Sequence, residues 1–500
     1  MYDRALRLIE ALTHDLSERQ DAASLGLLAL CAGESLFLLG PPGVAKSLLA
    51  RRFKTLFRDG RSFEYLMGRF STPEDLFGPL SLSGLRDHDV FVRKTEGYLP
   101  EADVVFLDEL WRAGPPIQNT LLAILNEKLF RNGSEERRVP LKLLIGASNT
   151  APDGEENSEA FWDRFLLRLE LAPVASGVSF QSMLARSESS PPLEVSDPFD
   201  ETDWQNIQHS VSEVRVPSFI PEAFDVLRDN LAPAYISDRR WRKALRLLKA
   251  SAFLHDRVEV DPLDLAVLKH VLWHTPSERD RVQQRLLEVL DDFGWEAPAE
   301  VTILLEAPLK AAEALKALTK REEKISQPRP VLYDGEYYAV KGYPGSLSAR
   351  VWARDYDLWT AQEEAEGELF FFRPLGSYAE SRKVSVQRGD GPAEIVLDGV
   401  LYALESVSES VTVWKETSPE PKAMKAWTES VSRELQQLKT ARERVDNLTR
   451  VKVADGERHL FADQAQREAC RASLDRLAAR LQDAETALRE LQESRKPNLG

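Results

Sequence analysis

Cysteine is almost missing from this chain: Cys31 and Cys470 are the only two in 500 residues. They stand far apart and fit no metal or redox spacing. That excludes a disulfide-stapled scaffold, a zinc ribbon or a CxxC catalyst, and fits buried reduced thiols. Long apolar runs are missing as well. The longest, about Leu25 to Leu39, is broken by Glu34 and falls short of the ~20 residues a membrane-spanning helix needs. Asp3, Arg4, Arg7 and Glu10 interrupt the N-terminus, so no secretory apolar segment is expected there. Positive charge is in deficit: 65 Lys and Arg against 81 Asp and Glu leave a net charge of −16. Sequence-independent nucleic-acid binding needs basic stripes that release counterions, so the whole chain does not fit that class. A local basic cluster does exist at Arg239–Arg246. What remains, with 43% hydrophobic residues, is a globular and by expectation cytoplasmic protein. Its length accommodates roughly three or four domains of about 100–200 residues each.

Against these absences one stretch stands out. Gly40-Pro41-Pro42-Gly43-Val44-Ala45-Lys46-Ser47-Leu48 follows the apolar run Ser35–Leu39, a short buried strand by pattern, and leads into a helical pattern through Phe53. A glycine-rich loop between strand and helix turns its backbone N–H groups inward, where they hold phosphate oxygens at a helix N-terminus. Lys46 then reaches the outer phosphates of a nucleotide such as ATP, and the Ser47 hydroxyl is a Mg²⁺ ligand. Ala45 replaces the usual glycine before the lysine. Alanine is expected to take ordinary helical φ/ψ there, at the first turn.

Further parts arrive in order. Asp108-Glu109 ends the apolar run Val104–Leu107, which places Asp108 to hold Mg²⁺ and Glu109 to polarise an attacking water. Asn149 ends the next apolar run, Leu143–Ala147, where a polar side chain can orient that water. Phe161–Arg168 carries two arginines on a short amphipathic piece. Arg164 is the favoured residue, and Arg168 the alternate, for stabilising phosphoryl-transfer charge in a neighbouring subunit. Arg239 follows Ser237-Asp238 at the start of a helix Asp238–Leu254, where it can contact the γ-phosphate. Arg240, Arg242 and Arg246 lie close by.

The organisation is read from periodicity. Residues 1–190 alternate helix and strand patterns around a parallel sheet, beginning with an amphipathic helix that sets Leu6, Ile9 and Leu12 on one side. Residues 191–300 are all-helical. Residues 301–330 show a helical stripe through Leu304, Ala311, Leu315, Leu318 and Ile325. Residues 331–421 turn β-rich, with Asp334-Gly335 and Asp398-Gly399 as hairpin signals. The aromatics Tyr337, Tyr338, Tyr343, Trp352, Trp359, Phe370, Phe371, Phe372 and Trp414 are expected to be mostly core by alternation. Residues 422–500 form two long helices whose apolar residues alternate by three and four, as in a coiled-coil seam. The fold class is therefore an α/β nucleotide-binding core with flanking helices and an all-α lid. A helical stalk assembled from two separated stretches follows, with a small β-rich module inserted; three independent helices packing on the core is the other reading.

With these motifs in order, the first 275 or so residues resemble the MoxR family of AAA+ ATPases. GPPGVAKS, Val104–Leu110, Leu110-Trp111-Arg112-Ala113 with Pro115–Gln118, Asn149-Thr150, Asp163-Arg164-Phe165 and Ser237-Asp238-Arg239 carry the resemblance. The stretch Gly84–Tyr98 fits the hairpin insert that such proteins place near a ring pore. The stalk and inserted module are similar to the RavA-type regulatory branch. That resemblance implies an ATP-hydrolysing homohexamer, a von Willebrand A-domain partner resembling ViaA, and contact with an inducible lysine decarboxylase through residues 331–421. Two other classes compete: a nucleic-acid-dependent ring motor, and an adaptor whose assembly is set by nucleotide while hydrolysis is incidental. The chain carries no protease motif and no second phosphate loop.

Overall fold

The computed structural model describes residues 1–152, 161–185, 195–232, 235–358, 365–374 and 376–494. It divides into two compact units, Met1–Leu305 with Leu438–Asp483, and Glu306–Gln437 with Ala484–Gly500.

In the first unit the apolar runs become parallel strands. β1 (Ser35–Leu39), β2 (Ser62–Leu66) and β3 (Val104–Asp108) come first. A separate hairpin of β4 (Leu129–Asn132) and β5 (Glu135–Arg138) follows, then β6 (Leu143–Ser148) and β7 (Leu167–Glu170). The main sheet is ordered β2-β3-β6-β1-β7, and its pairings are parallel. Every residue of β1 and β6 is buried, as two-sided burial between helices requires, whereas β2 at the edge alternates exposed and half-covered residues. The helix Gln20–Ala32 is apolar almost all round and lies inside the layer, with Ala22 to Ala32 buried. The helix Tyr2–Thr13 buries Ala5, Leu8, Ile9 and Leu12, and Leu6 is 41% exposed, so Leu8 takes the place expected for Leu6.

The expected hairpin at Gly84–Tyr98 is absent. Leu82–His88 is helical, capped by the Ser81 side chain, and a single bridge joins Leu80 to Arg93. The β-hairpin of this region is β4–β5, which sequence reading missed because its second strand, Glu135–Arg138, is wholly charged and exposed.

The lid is helical: Glu201–Glu213, Phe219–Leu231, Asp238–Leu254, a 3₁₀ run Pro262–His270 and Arg279–Asp292. Asp261 caps the 3₁₀ run in a reciprocal box with Asp264. The turn joining the two long C-terminal helices, Pro421–Glu457 and Gln464–Glu493, belongs to this unit. Phe461, Ala462 and Cys470 are buried in the same apolar core as Trp295 and Leu263. Both cysteines are buried and unpaired.

In the second unit the helix Ala307–Thr319 ends earlier than its stripe predicted. Lys320–Glu323 offers no apolar seam residue, and the backbone instead pairs as β8 (Lys320–Pro330), so Ile325 sits on a strand. The barrel strands follow: β9 (Leu332–Tyr333), β10 (Tyr337–Lys341), β11 (Ser348–Trp352), β12 (Ala365–Phe372), β13 (Tyr378–Arg388), β14 (Glu394–Leu397) and β15 (Val400–Leu404). β16 (Ser406–Glu416) then forms a two-stranded ribbon with β8. β10 pairs with both β11 and β15, so the antiparallel sheet β11-β12-β13-β14-β15-β10 closes on itself. Closure removes the open edges that invite aggregation. Val351, Leu369, Val386, Ile395 and Leu404 fill its interior. Most of the aromatics expected there are instead only partly buried. Phe372 is buried, Trp414 is 48% exposed, and Tyr337, Trp352 and Phe370 pack against one another between these extremes. Alternation assigns faces but not which face of a barrel is the inner one. Trp359 lies outside the described residues. Trp427 donates its indole N–H to Ala311 O at 3.0 Å, and Gln492 donates to Ser432 Oγ at 2.9 Å, so all three helices of this unit touch.

Candidate nucleotide site

The site stands at the carboxyl ends of three neighbouring strands, β3, β6 and β1, where open α/β sheets bind ligands. β1 runs into the loop Gly40–Ala45, and the helix Lys46–Phe53 leaves it. Gly40 has φ +153°, and a Cβ there would lie 2.4 Å from Leu171 O, so no other residue fits. At Gly43, φ is +85° with open space around it, as a backbone that closes on a ligand requires. Ala45 corrects the expectation. Its φ of 64° and ψ of 25° are left-handed, not helical, so a residue with a Cβ occupies a conformation that glycine adopts freely.

Lys46 is 6% exposed. Its Nζ donates to Gly40 O at 2.5 Å, Pro41 O at 3.1 Å and Asn149 Oδ1 at 2.8 Å. Burial lowers its pKa, opposed by the charges of Asp108 and Glu109. Asn149 then donates from Nδ2 to Glu109 Oε1 at 2.5 Å, so lysine, amide and carboxylate form one chain. Ser47 Oγ donates to Asp108 Oδ2 at 3.0 Å. A hydroxyl beside a carboxylate is a hard oxygen donor set, which fits Mg²⁺. Arg112 approaches Glu109 at 3.5 Å. Leu48 is 43% exposed on the first helical turn, Pro41 and Pro42 are exposed, and Val44 is buried.

The arginines divide differently from expectation. Arg168 lies on β7 and is fully buried. Its guanidinium donates to the carbonyls of Phe165, Trp273 and Trp162 and lies 4.1 Å over the Trp162 ring. It is a structural cation and cannot reach a neighbouring subunit, which removes the alternate assignment. Arg164 is partly exposed and lies 3.7 Å from Asp163. Arg239 also binds Asp163, at 2.6 Å, and Ser237 donates to the same carboxylate at 3.1 Å. Burial alone would raise the Asp163 pKa, but the Arg239 hydrogen bond and the charge of Arg240 outweigh it and lower it. Arg240 is buried and donates to Asp163 O, Phe165 O and Leu166 O of the core and to Val271 O of the lid. The lid is thus fastened to the Asp163–Leu166 segment by two buried arginines. Sequence reading took Asp163 only as part of the Asp163-Arg164-Phe165 motif, not as the carboxylate shared by Arg164, Arg239 and Ser237, and treated Arg240 as a neighbour of the functional residue. Four arginines in eight residues, Arg239 to Arg246, gave no sign of which one was buried.

His255, Asp264 and His459 form a compact trio elsewhere in this unit. It is a hydrogen-bonded core element. His255 Nδ1 pairs with Ser251 O and Nε2 accepts from Leu460 N, while His459 Nδ1 accepts from Ala462 N and Nε2 faces Asp264. Every ring nitrogen is thereby used, and Asp264 takes a bidentate Arg257.

Loop, strand order and acidic strand end together define a phosphate-loop nucleotide-binding protein. The family described as the MoxR domain in the MoxR-vWA-beta-propeller ternary systems matches residues 4–231, and an AAA lid domain matches residues 220–286. The uncharacterized protein MJ0812 of Methanocaldococcus jannaschii is 34% identical over 344 residues, which is 69% of this chain and 88% of that protein. MJ0079 of the same organism is 37% identical over 313 residues, 62% of this chain and 81% of that protein. A crystal structure from Cytophaga hutchinsonii matches at 18% identity and a TM-score of 0.48, covering 58% of this chain and 94% of that one. The chain belongs to the MoxR family of AAA+ ATPases. Among the described residues no helix is long and apolar enough to cross a membrane.

Proposed function

We propose that this protein hydrolyses ATP in a hexameric cytoplasmic ring and uses the resulting lid movement to remodel or regulate protein partners. The observation that carries the reading is the Lys46–Asn149–Glu109 chain beside Ser47–Asp108, all at adjacent strand ends. Backbone N–H groups of the loop and the Lys46 ammonium hold the phosphates and balance charge as it shifts to the leaving group. Glu109 takes a proton from the attacking water, and Asn149, already bonded to it, fixes that carboxylate and the water's position. Ser47 and Asp108 would hold Mg²⁺, which when bound neutralises phosphate charge. Arg164 would act on the nucleotide of the next subunit, and Arg239 would exchange Asp163 for the γ-phosphate when nucleotide binds.

The matched family is described by MoxR-vWA-beta-propeller ternary systems, and the partners proposed here are accordingly a von Willebrand A-domain protein and a β-propeller protein. The closed barrel offers a docking module, and an inducible lysine decarboxylase remains the first client to test, on the RavA-type resemblance. The test is steady-state turnover with and without substitution. Glu109→Gln should lower kcat by about 100-fold while nucleotide still binds, and Lys46→Ala should abolish binding. A Glu109→Gln protein that keeps every partner function would make hydrolysis incidental and the protein an adaptor. Salt-dependent stimulation by single-stranded DNA would favour a nucleic-acid motor.

A further inference from the structure

Behind the phosphate loop lies a cation that the reaction outlined above does not use. Arg19 precedes the helix Gln20–Ala32 and is 5% exposed. Its guanidinium is surrounded by backbone carbonyls. Nε donates to Val44 O at 2.9 Å, Nη1 to Glu18 O at 2.6 Å, and Nη2 to Ala172 O at 2.8 Å. Among the described residues no carboxylate lies within ion-pair distance of it; burial lowers its pKa, and the nearby Glu18 charge opposes that. Glu18, itself at φ 58°, accepts from Ala175 N at 2.8 Å and Ser176 N at 2.9 Å, where the chain leaves the core toward the lid.

The contact with Val44 decides the geometry of the loop. In a trans peptide the carbonyl and the following N–H point in opposite directions. Holding the Val44 carbonyl back toward Arg19 therefore aims the Ala45 N–H forward, toward the phosphate side. The left-handed φ of Ala45 is the backbone setting that goes with this peptide orientation. The second contact ties the same guanidinium to Ala172. Its neighbour Leu171 donates to Leu39 O, and the Leu171 carbonyl fills the space a Cβ on Gly40 would need, so the two ends of the loop share one anchor. An unneutralised guanidinium at this place also adds positive potential to a site built for an anion.

We infer that Arg19 is a positioning residue for the phosphate loop, setting nucleotide affinity through the Val44–Ala45 peptide without entering the chemical step. The inference rests on the nucleotide-site reading above. It is tested on the full chain by titrating a fluorescent ADP analogue with Mg²⁺ and by measuring kcat and KM for ATP, in wild type, Arg19→Met and Arg19→Lys. Arg19→Met should weaken ADP binding by about tenfold or more, the scale of losing hydrogen bonds from a charged group. KM should rise in parallel while kcat stays within about twofold. Arg19→Lys keeps the charge but cannot reach Val44 O and Ala172 O together, so it should recover part of the affinity. If Arg19→Met does not fold, Arg19→Lys decides alone through a several-fold rise in the ADP Kd. Unchanged affinity in a folded variant, or a fall in kcat with affinity intact, overturns the assignment. Wild type that binds no nucleotide, or Lys46→Ala that binds it normally, would defeat the nucleotide-site reading itself and the inference with it.

Discussion

Replacing Ala45 by glycine and by valine tests the loop geometry directly. At φ 64° and ψ 25° the Ala45 Cβ crowds the following carbonyl, which costs an L-residue about 1–2 kcal/mol. Glycine removes that cost but frees the unfolded chain, which returns about 0.5–1 kcal/mol. It also loses a half-buried methyl, a fraction of the ~0.8 kcal/mol that full burial of such a group contributes. The balance for Ala45→Gly lies between about zero and a stabilisation of about 1 kcal/mol. Ala45→Val adds a β-branch at positive φ and should be destabilising, leaving a gap of about 2 kcal/mol or more between the two variants. The assay is urea unfolding without nucleotide, followed by ADP titration of each variant. The strained setting exists before nucleotide arrives, so Ala45→Gly should leave the ADP Kd within about twofold, because strain relief acts equally on free and bound states. A helical Ala45 gives the opposite order, with glycine least stable by about 1 kcal/mol. Finding glycine below alanine and valine beside it would refute the left-handed assignment.

Two further outcomes follow from buried charge. His255 is neutral in the fold, its pKa pushed down to about 3 chiefly by burial with His459 acting in the same direction, and burial lowers His459 too. The unfolded chain takes up these protons near pH 6.5, so stability should fall as pH drops below that value, by about 1.4 kcal/mol per pH unit for His255, with His459 adding in the same direction. Burial pushes His270 down to about 3 as well, so urea midpoints at pH 7.5, 6 and 5 are compared between wild type and His255→Asn, and an unchanged pH slope in the variant would show that His255 is not buried neutral. For Asp264, burial would raise the carboxyl, but Arg257 and the His459 hydrogen bond hold it well below the usual range. Its contribution is therefore lost only when the pH falls below the ordinary carboxylate range near 4. Asp163→Asn should cost about 2 kcal/mol, below the ~3–5 of a fully buried pair because Arg239 is about a third exposed and screened. Urea unfolding measures it, and a loss under about 0.5 kcal/mol would show that Arg240 needs no counter-charge.

The fold was legible where periodicity and burial speak together. β1, β3 and β6 are unbroken apolar runs because helices cover both faces, and the helix Asp238–Leu254 was readable to its ends. Legibility failed where apolar content is low or two-sided. The strand Glu135–Arg138 shows no apolar residue, and Lys320–Pro330 is held by its ladder with Ser406–Glu416 instead of by a buried face. The barrel aromatics misled for a different reason. Tyr337, Trp352 and Phe370 occupy the alternate positions of their strands and pack on one another outside, while smaller Val351 and Leu369 fill the narrow interior.

At the site, residue type conveyed chemistry but not burial. Lys46 and Ser47 were readable from the glycine-rich loop between strand and helix, and Asp108, Glu109 and Asn149 because they are polar residues at the ends of apolar runs, a place that a ligand or a cap explains. The arginines carry no such mark. Arg164 and Arg168 sit four apart on one short segment, yet one is half-buried beside Asp163 and the other is fully buried, wrapped in carbonyls beneath two tryptophans. Arg239 and Arg240 are adjacent and divide the same way. A guanidinium presents five donors in a plane, so backbone carbonyls can satisfy it without any carboxylate nearby in sequence. Acceptors supplied by the backbone of three different elements leave no trace in composition. That is why Arg19, Arg168 and Arg240 become visible only once the chain has folded around them, and why the residues that set the loop and fasten the lid were the least legible part of the site.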